Sequence, residues 1–233
     1  MSRKSVLFGS GILLFFAGTT GAALVSLVRH EPSFYRRAAV PPGAEREALS
    51  AGCFSQAVTF FNSVRDSDRW RGTFSEEQIN GYLEEGFLRN NVKSLTLPDH
   101  ITDPRVAFEP DRIRLGFRYH LGQFSTVVSI DMRVWLTKAE PNVVALEIQG
   151  MRAGALPISA QSILERLSEA AESNNVKLSW YRHEGNPVAI LRFQGEQRSN
   201  LLLENLDLRP GTIDIQGQSL EPVAPVTATA AKP

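Results

Sequence analysis

Four histidines are the side chains of this chain best suited to acid–base catalysis or metal binding near neutral pH. They are His30, His100, His120 and His183, and no two of them are spaced as metal ligands are. Asp99-His100 could act as an acid–base pair, but Pro98 and the run Ile-Thr-Asp-Pro that follows indicate a loop. His120 and His183 are expected to be exposed to solvent. The histidines therefore predict neither a metal site nor a catalytic pair.

Other residues that could carry chemistry also follow no catalytic pattern. No serine lies in a G-x-S-x-G sequence, and the chain contains no P-loop and no G-x-G-x-x-G. Cys53 falls on the apolar stripe of a predicted helix, which favours a buried packing residue over a nucleophile. Glu76-Glu77 and Glu84-Glu85 fall in or near a second helix, where exposed carboxylates are ordinary and adjacent residues do not face each other. The sequence therefore predicts a protein that is not an enzyme and uses no metal or cofactor.

The charges of the chain balance, with 25 Lys and Arg against 25 Asp and Glu in 233 residues. This balance argues against a nucleic-acid partner, which would require a basic excess. A single cysteine excludes a disulfide scaffold and a cysteine-rich zinc module. A local basic stripe of Arg112, Arg114 and Arg118 could meet anionic head groups or phosphates. A solvated sheet face, partly neutralised by Asp131, is the favoured interpretation.

An uncharged run of 24 residues extends from Ser5 to Val28, behind the short segment 1–4. As a helix it would be about 36 Å long, which is enough to cross the hydrocarbon core of a bilayer. The small residues of Thr20-Gly21-Ala22 would also suit cleavage of a signal peptide. The apolar run continues beyond them to Val28, which favours an uncleaved signal-anchor. We therefore expect a single-pass membrane protein in which residues 29–42 form a linker.

Charge does not fix the orientation of this run, because Arg3 and Lys4 precede it and Arg29 follows it. A short N-terminus inside and an exported domain is the commoner arrangement for such a layout. We therefore expect an extracytoplasmic domain, either periplasmic or extracellular, that spans residues 43–219. The Pro-, Ala- and Thr-rich residues 220–233 are expected to be a disordered tail.

Three amphipathic helices are predicted within the domain. The first runs from about Gly43 to Val64, the second begins at the capping box Ser75-Glu-Glu-Gln78, and the third begins near Ser159. Apolar residues recur in each at intervals of three or four, as on one face of a helix. These faces are Leu49, Cys53, Ala57, Phe60 and Val64; Ile79, Leu83 and Phe87; and Ile163, Leu164, Leu167 and Ala171.

The strongest strand signal is an unbroken alternation from Arg112 to Leu121. Gly122-Gln123 follows as a two-residue loop with glycine first, as a type II′ turn prefers. This loop fixes a register in which Arg114 meets Asp131 on one face and every apolar pair falls on the other. The predicted apolar pairs are Leu121 with Phe124, Phe117 with Val128, Leu115 with Ile130, and Ile113 with Met132.

Five further strands complete the predicted sheet. They are Val143–Met151, Val176–His183, Val188–Phe193, Leu201–Leu208 and Thr212–Gln218. Glu184-Gly-Asn-Pro187 and Arg209-Pro-Gly211 supply hairpin turns. Because most connections are short, we predict an α+β domain with a curved, mostly antiparallel sheet packed on amphipathic helices.

Two short motifs give a resemblance to a known family. Ile79-Asn80 lies in the early helix Phe74–Leu83, and the turn Gly154-Ala-Leu-Pro157 precedes the predicted third helix. With the N-terminal apolar run, this layout resembles small membrane-anchored envelope proteins of the YpmS (DUF2140) type, and more distantly the LmeA-like DUF2993 group. The resemblance implies a tubular lipid-binding (TULIP-like) architecture, in which a bent sheet wraps a long helix. It also implies extracytoplasmic handling of lipids without catalytic residues.

Two functions remain open from the sequence. The first is binding of a lipid or other hydrophobic ligand in a groove between helix and sheet. The second is an envelope scaffold or protein-interaction domain with a closed core, whose partner contacts the polar sheet face. The candidate groove residues are Phe60, Ile79, Leu83, Phe117, Tyr119 and Leu167.

Overall fold

The computed structural model of the protein describes residues 19–86, 100–159, 161, 164, 168, 178–192 and 201–219. Within them the chain is α+β and its sheets are antiparallel, which confirms the predicted class. Residues 5–18 of the apolar run, Phe87, most of the predicted third helix and the tail 220–233 lie outside the described residues. No helix among the described residues is long and apolar enough to cross a membrane.

The helices precede most of the strands along the chain. They are α1 (described over residues 19–28), α2 (Ser33–Arg37), α3 (Ala44–Asp66), α4 (Glu76–Gly81) and a π-helix (Tyr82–Gly86). The strands are β1 (Arg69–Ser75), β2 (Ile101–Glu109), β3 (Arg112–Leu121), β4 (Phe124–Leu136), β5 (Val143–Ala153), β6 (Leu156–Pro157), β7 (Leu178–His183), β8 (Asn186–Arg192), β9 (Leu201–Arg209) and β10 (Thr212–Ser219).

These strands form two sheets. The larger has the order β2-β3-β4-β5-β8-β7, with the short β6 paired to β5, and the smaller has the order β1-β10-β9. Phe108, Val134, Val144 and Leu208 form a buried cluster to which both sheets contribute. Ile79 of α4 packs against the same cluster, so this helix lies where the sheets meet.

The β3–β4 hairpin has the predicted register. All four predicted apolar pairs and the Arg114–Asp131 pair are opposed in the structure. Gly122 has φ +61°, whereas Gln123 is not in the positive-φ region, as a type II′ turn requires. Strand β5 and strands β7 to β10 also agree with the predicted ranges to within three residues wherever they are described, whereas the two-residue β6 was not predicted.

Strand β2 corrects the expectation of a loop after His100. Ile101–Glu109 pairs with β3, and the register shifts between Thr102 and Arg105. The bulge accommodates Pro104, which lacks an N–H, and β2 is an edge strand, where proline is tolerated. Strand β1, which pairs with β10, was also missed, although Trp70 and Phe74 alternate with polar residues in its sequence; Gly72 interrupts the apolar positions.

Side chains of α4 complete the outer edge of β2. Asn80 is 1% exposed, its amide donates to the Val106 carbonyl at 2.9 Å, and its oxygen accepts the Val106 N–H at 2.8 Å. Glu76 accepts the Phe108 N–H at 2.8 Å. The predicted capping box at Ser75 and Gln78 begins this helix. Asn80 therefore acts as a substitute strand partner, which is the structural role of the Ile79-Asn80 motif.

Helix α3 packs against the smaller sheet through aromatic side chains. The Phe60 ring lies 5.7 Å from that of Trp70 and 5.8 Å from that of Phe74, and both contacts are edge-to-face. Gly72 stands between these strand residues, where a Cβ would overlap the Phe60 ring. The predicted helix is thus confirmed over Ala44–Asp66, with Cys53 buried on its inner face.

A buried carboxylate lies within the smaller sheet. Asp214 on β10 is 3% exposed and accepts a hydrogen bond from the Thr73 hydroxyl on β1. Arg71 and Arg209 lie 3.3 and 3.6 Å from its oxygens. The Thr73 hydrogen bond, supported by these arginines, holds the pKa of the Asp214 carboxyl below its usual value.

Replacement of Asn80 tests the completed edge. Asn80→Leu leaves two buried backbone groups of Val106 unpaired, which should lower the free energy of unfolding by about 3 kcal/mol. The measurement is urea unfolding of the full chain in detergent. Asn62→Leu, at an exposed position of α3, is the control and should change the value by less than about 0.5 kcal/mol. Equal effects of the two substitutions would contradict the role of Asn80.

Replacement of Asp214 tests the buried carboxylate. Because its folded-state pKa is lowered, ionised Asp214 stabilises the fold at neutral pH, and this stabilisation is lost as pH falls through that pKa. Asp214→Asn should therefore be less stable than wild type at pH 7, with a difference that narrows in acid. Urea unfolding over a pH series measures this change. The exposed Asp68→Asn is the control, and a difference independent of pH would refute the assignment.

Candidate functional site

The end of helix α1 is bonded directly to the larger sheet. A helix leaves its last four carbonyl groups without partners inside the helix. Here the Leu27 carbonyl accepts the Ala155 N–H at 2.8 Å, and the Val28 carbonyl accepts the Thr126 hydroxyl at 2.6 Å. Residues of the sheet therefore cap the helix that ends the apolar run.

Gly154 provides the space for this contact. Its φ of +62° lies in the left-handed region that favours glycine, and a Cβ there would overlap the carbonyl oxygens of Leu27 and Val28. Gly154 also donates its N–H to the Val127 carbonyl at 2.8 Å. The turn Gly154-Ala-Leu-Pro157, on which the family resemblance partly rests, is thus the receptor for the end of α1.

Helix α2 covers the sheet face that was expected to be solvated. Tyr35 is 0% exposed and packs with Phe34, Ala107 and Val127. Its ring lies over Gly116, where a Cβ would be 2.6 Å from the Tyr35 Cδ2. The expectation of a solvated face is wrong, because this glycine leaves a gap in the row of arginines. Helix α2 lies within residues 29–42, which were expected to be a linker and instead bury side chains on the sheet.

Arg114 and Arg118 of the basic stripe are paired with carboxylates. Arg118 lies 2.6 Å from Glu31 and 3.4 Å from Asp103, while Arg114 lies 3.0 Å from Asp131. The predicted cross-strand pair of Arg114 and Asp131 is therefore confirmed. Of the acidic partners, Glu31 comes from the N-terminal segment, so one ion pair joins that segment to β3.

Tyr35 is held from three sides. Its hydroxyl donates to the Asp103 carbonyl at 2.9 Å, and the Arg105 guanidinium lies 4.4 Å from its ring centre. Arg105 also donates to the Tyr35 carbonyl at 3.0 Å. Burial raises the pKa of Tyr35 to about 12, partly opposed by the positive charge of Arg105. The phenol therefore stays protonated at neutral pH and acts as a hydrogen-bond donor.

Glu84 and Glu85 were expected to be exposed, and both are buried. They lie in the π-helix, with side chains 8% and 9% exposed. Arg46 of α3 lies 3.4 Å from Glu84 and 2.9 Å from Glu85, and Arg105 lies 2.6 Å from Glu84. The expectation failed because one arginine fork spans two adjacent carboxylates that both leave the π-helix on its inner side. This arrangement pairs buried charges and has the features of a structural network.

The residues predicted to line a groove fall in several parts of the fold. Phe60 packs between α3 and the smaller sheet, and Ile79 packs where the two sheets meet. Phe117 packs on a different cluster, which contains Ile130 and Met151. Ile79 and Phe117 therefore belong to separate clusters.

Of the other predicted groove residues, the structure describes Leu83 and Tyr119. Leu83 is half-buried in the π-helix, and the Tyr119 ring lies 6.3 Å from that of His100. Leu167 lies outside the described residues. Binding of a ligand by this set stays a prediction.

The described residues form two surface clefts, of which the smaller has a largely polar lining and the larger a mixed one. One, of about 240 Å³, is lined by Arg29, Glu31, Arg118, Gln123, Ser125, Thr126 and Val127. The other, of about 510 Å³, lies between α2, α4 and the β9–β10 turn, where Arg37 faces Glu76, Glu77 and Glu109 across apolar residues. Neither cleft is lined by apolar residues alone.

The described residues contain no cluster of three or more His, Cys, Asp and Glu side chains that could hold a metal ion. His120 lies 3.0 Å from the Thr102 hydroxyl, a polar contact within the sheet. Comparison with family models, curated proteins and solved structures finds no match for this chain. The contact between the N-terminal segment and the larger sheet, which we call the junction, is the candidate site. It comprises residues 27–35 with Gly116, Thr126, Gly154 and Ala155.

Sequence reasoning missed the junction, although the sequence contains a signal for it. Gly116 interrupts the polar positions of β3, where the neighbouring residues are Arg114 and Arg118. A glycine in a strand often marks close approach of another group. Phe34-Tyr35 is an aromatic pair within a segment otherwise rich in arginine, and is the group that approaches.

A matched pair of glycine substitutions tests the junction. Gly154→Ala and Gly185→Ala both place a side chain at positive φ, which costs about 1 to 2 kcal/mol, but only the first also displaces α1. Gly154→Ala should therefore lower the free energy of unfolding more, and hydrogen exchange of a peptide spanning residues 151–158 should accelerate. Gly185 has open space around it, and its substitution should leave that peptide unchanged. Equal exchange in the two variants would refute the contact.

Proposed function

We propose that this chain is a non-catalytic, single-pass membrane protein whose extracytoplasmic domain is a scaffold or protein-interaction module held close to the bilayer. One observation carries the proposal. The backbone carbonyls of Leu27 and Val28, at the end of the apolar run, are bonded to the larger sheet. The domain thus begins where the apolar run ends, with no spacer between them.

The surface of α1 supports a lipid environment. Leu24, Val25 and Leu27 are 50%, 46% and 41% exposed. Large apolar side chains on one short helix are costly in water but are suited to the hydrocarbon core of a bilayer. In this proposal Ser5–Val28 anchors the chain, and the larger sheet holds the end of the anchor.

The scaffold function is preferred to a ligand carrier because of where the apolar side chains lie. The predicted groove residues Ile79 and Phe117 pack in separate clusters. Of the two clefts described above, the smaller is largely polar, and the larger combines apolar residues with the charged Arg37, Glu76, Glu77 and Glu109. A carrier needs a continuous apolar cavity that buries most of its ligand. A lipid-carrying function remains the alternative outcome of the tests below.

Helix α3 offers a surface for an envelope protein partner. Phe54, Val58 and Phe61 recur at helical spacing on the face directed away from the sheets, and they are 57%, 43% and 67% exposed. The polar sheet face, which the sequence suggested for a partner, is covered by α2. We therefore assign the partner to the exposed face of α3.

Alkaline carbonate extraction of membranes from cells that express the full chain tests the anchor. Wild type should stay in the membrane pellet. The double substitution Leu13→Arg with Leu14→Arg raises the free energy of membrane insertion by about 6 kcal/mol. It should therefore move the chain to the soluble fraction. Thr227→Arg with Thr229→Arg adds the same charge to the tail and should leave the chain in the pellet. Recovery of the wild-type chain in the soluble fraction would overturn the proposal.

Orientation and ligand content need separate measurements. Protease added after the outer barrier is permeabilised should digest the domain, whereas protection would refute export.

Native mass spectrometry of the full chain in detergent should show no lipid bound at one-to-one ratio. If wild type binds one lipid per chain and Phe117→Ala does not, lipid binding would be supported and the scaffold proposal would be overturned.

A further inference from the structure

The tip of the β3–β4 hairpin extends beyond the neighbouring strands. The pairing of β2 with β3 ends with Ile101 opposite Tyr119, and the pairing of β5 with β4 ends with Ala153 opposite Val128. Leu121 and Phe124 pair across the tip and are 69% and 62% exposed. Two large apolar side chains therefore stand together at a protruding tight turn.

The N-terminal segment approaches the sheet from this same end. Thr126, which bonds Val28, is two residues from the tip residue Phe124. Next along the N-terminal segment, Glu31 meets Arg118, and then Tyr35 meets Gly116. Each successive contact lies farther from the tip along β3. Traced towards the N-terminus, the segment therefore approaches the hairpin tip, and α1 ends beside this tip.

The residues beside the tip are also compatible with a membrane surface. The hairpin arginines themselves supply little free positive charge there, because Arg114 is paired with Asp131 and Arg118 with Glu31 and Asp103. Arg29 and Gln123 line one cleft beside the tip, and Glu31 there is paired with Arg118. Apolar side chains inserted at the boundary between head groups and acyl chains, with basic residues behind them, are a common mode of interfacial binding.

We propose that the β3–β4 hairpin tip is a second membrane contact, in which Leu121 and Phe124 insert into the bilayer that holds Ser5–Val28. This inference rests on the proposed membrane anchoring. It assigns the tip to lipid and leaves the exposed face of α3 to the protein partner. The hairpin then fixes the orientation of the domain on the membrane, because the anchor and the tip contact the bilayer at two separate points.

Fluorescence quenching in lipid vesicles tests this contact. The full chain carries Cys53→Ala, and a single new cysteine, Gln123→Cys, is labelled with an environment-sensitive dye. The vesicles contain phosphatidylcholine and phosphatidylglycerol in equal parts, with a nitroxide quencher at shallow depth. Lipid quenching should lower the emission of this label at least about twofold, as for a probe at the interface.

The same strand provides the control position. Lys138→Cys lies beyond the other end of β4, about 40 Å away along this strand of 13 residues, and its label should not be quenched. Leu121→Ser with Phe124→Ser should reduce quenching at position 123 to the level at 138. Because both side chains are exposed, the urea midpoint should be unchanged in this variant.

The outcomes separate the two proposals. If the chain floats with the vesicles and the labels at 123 and 138 are quenched equally, the hairpin contact is refuted and the anchor stands. If the chain does not float with vesicles at all, the membrane anchoring itself is refuted. In a sample of the Gln123→Cys chain left unlabelled, disulfide-linked dimers, together with no quenching in the labelled sample, would assign the tip to a second copy and also refute the lipid contact.

Discussion

The packing of α2 on the larger sheet depends on one contact, the ring of Tyr35 in the gap above Gly116. Any larger side chain at this position of β3 would hold α2 away from the sheet. With the ring in place, Arg105 stacks on it and reaches Glu84, which in turn meets Arg46 on α3. Because Gly116 has no side chain, α2 and α3, which come from two parts of the chain, can be connected through buried side chains.

The buried charges in this series determine position more than they add stability. Removing an ion pair from water costs several kcal/mol per ion, and attraction between the partners offsets that cost only when the geometry is good. Arg105 meets this condition with three contacts, and Glu84 does so with two arginines. Because each charge has its partners in only one arrangement, a shifted α2 or π-helix would leave a charge buried and unpaired. The network therefore selects one packing of helices on the sheet.

Much of the β-structure could be predicted from the sequence, because the alternation of β3 and the glycine turn at Gly122 are local signals. The junction could not, because Tyr35 and Gly116 are 81 positions apart and nothing local links them. Glu84 and Glu85 were misjudged because a regular helix was assumed, whereas the π-helix directs both to Arg46. Strand β2 was missed for a similar reason, because the proline in its bulge indicated a loop. Prediction failed where the deciding partner is distant in sequence or where the backbone is irregular.

The direct bond between α1 and the sheet has a mechanical consequence. A membrane helix tilts when the hydrocarbon thickness around it changes. A flexible spacer between such a helix and its domain would absorb that tilt. In the proposed anchored arrangement the carbonyls at Leu27 and Val28 are bonded to the sheet, so a change in tilt would rotate the domain about the end of the helix. Helix α3, 23 residues long, would magnify that rotation into a displacement of its exposed face. Under that proposal, the thickness of the bilayer would set the distance from the membrane surface at which the exposed face of α3 meets its proposed partner.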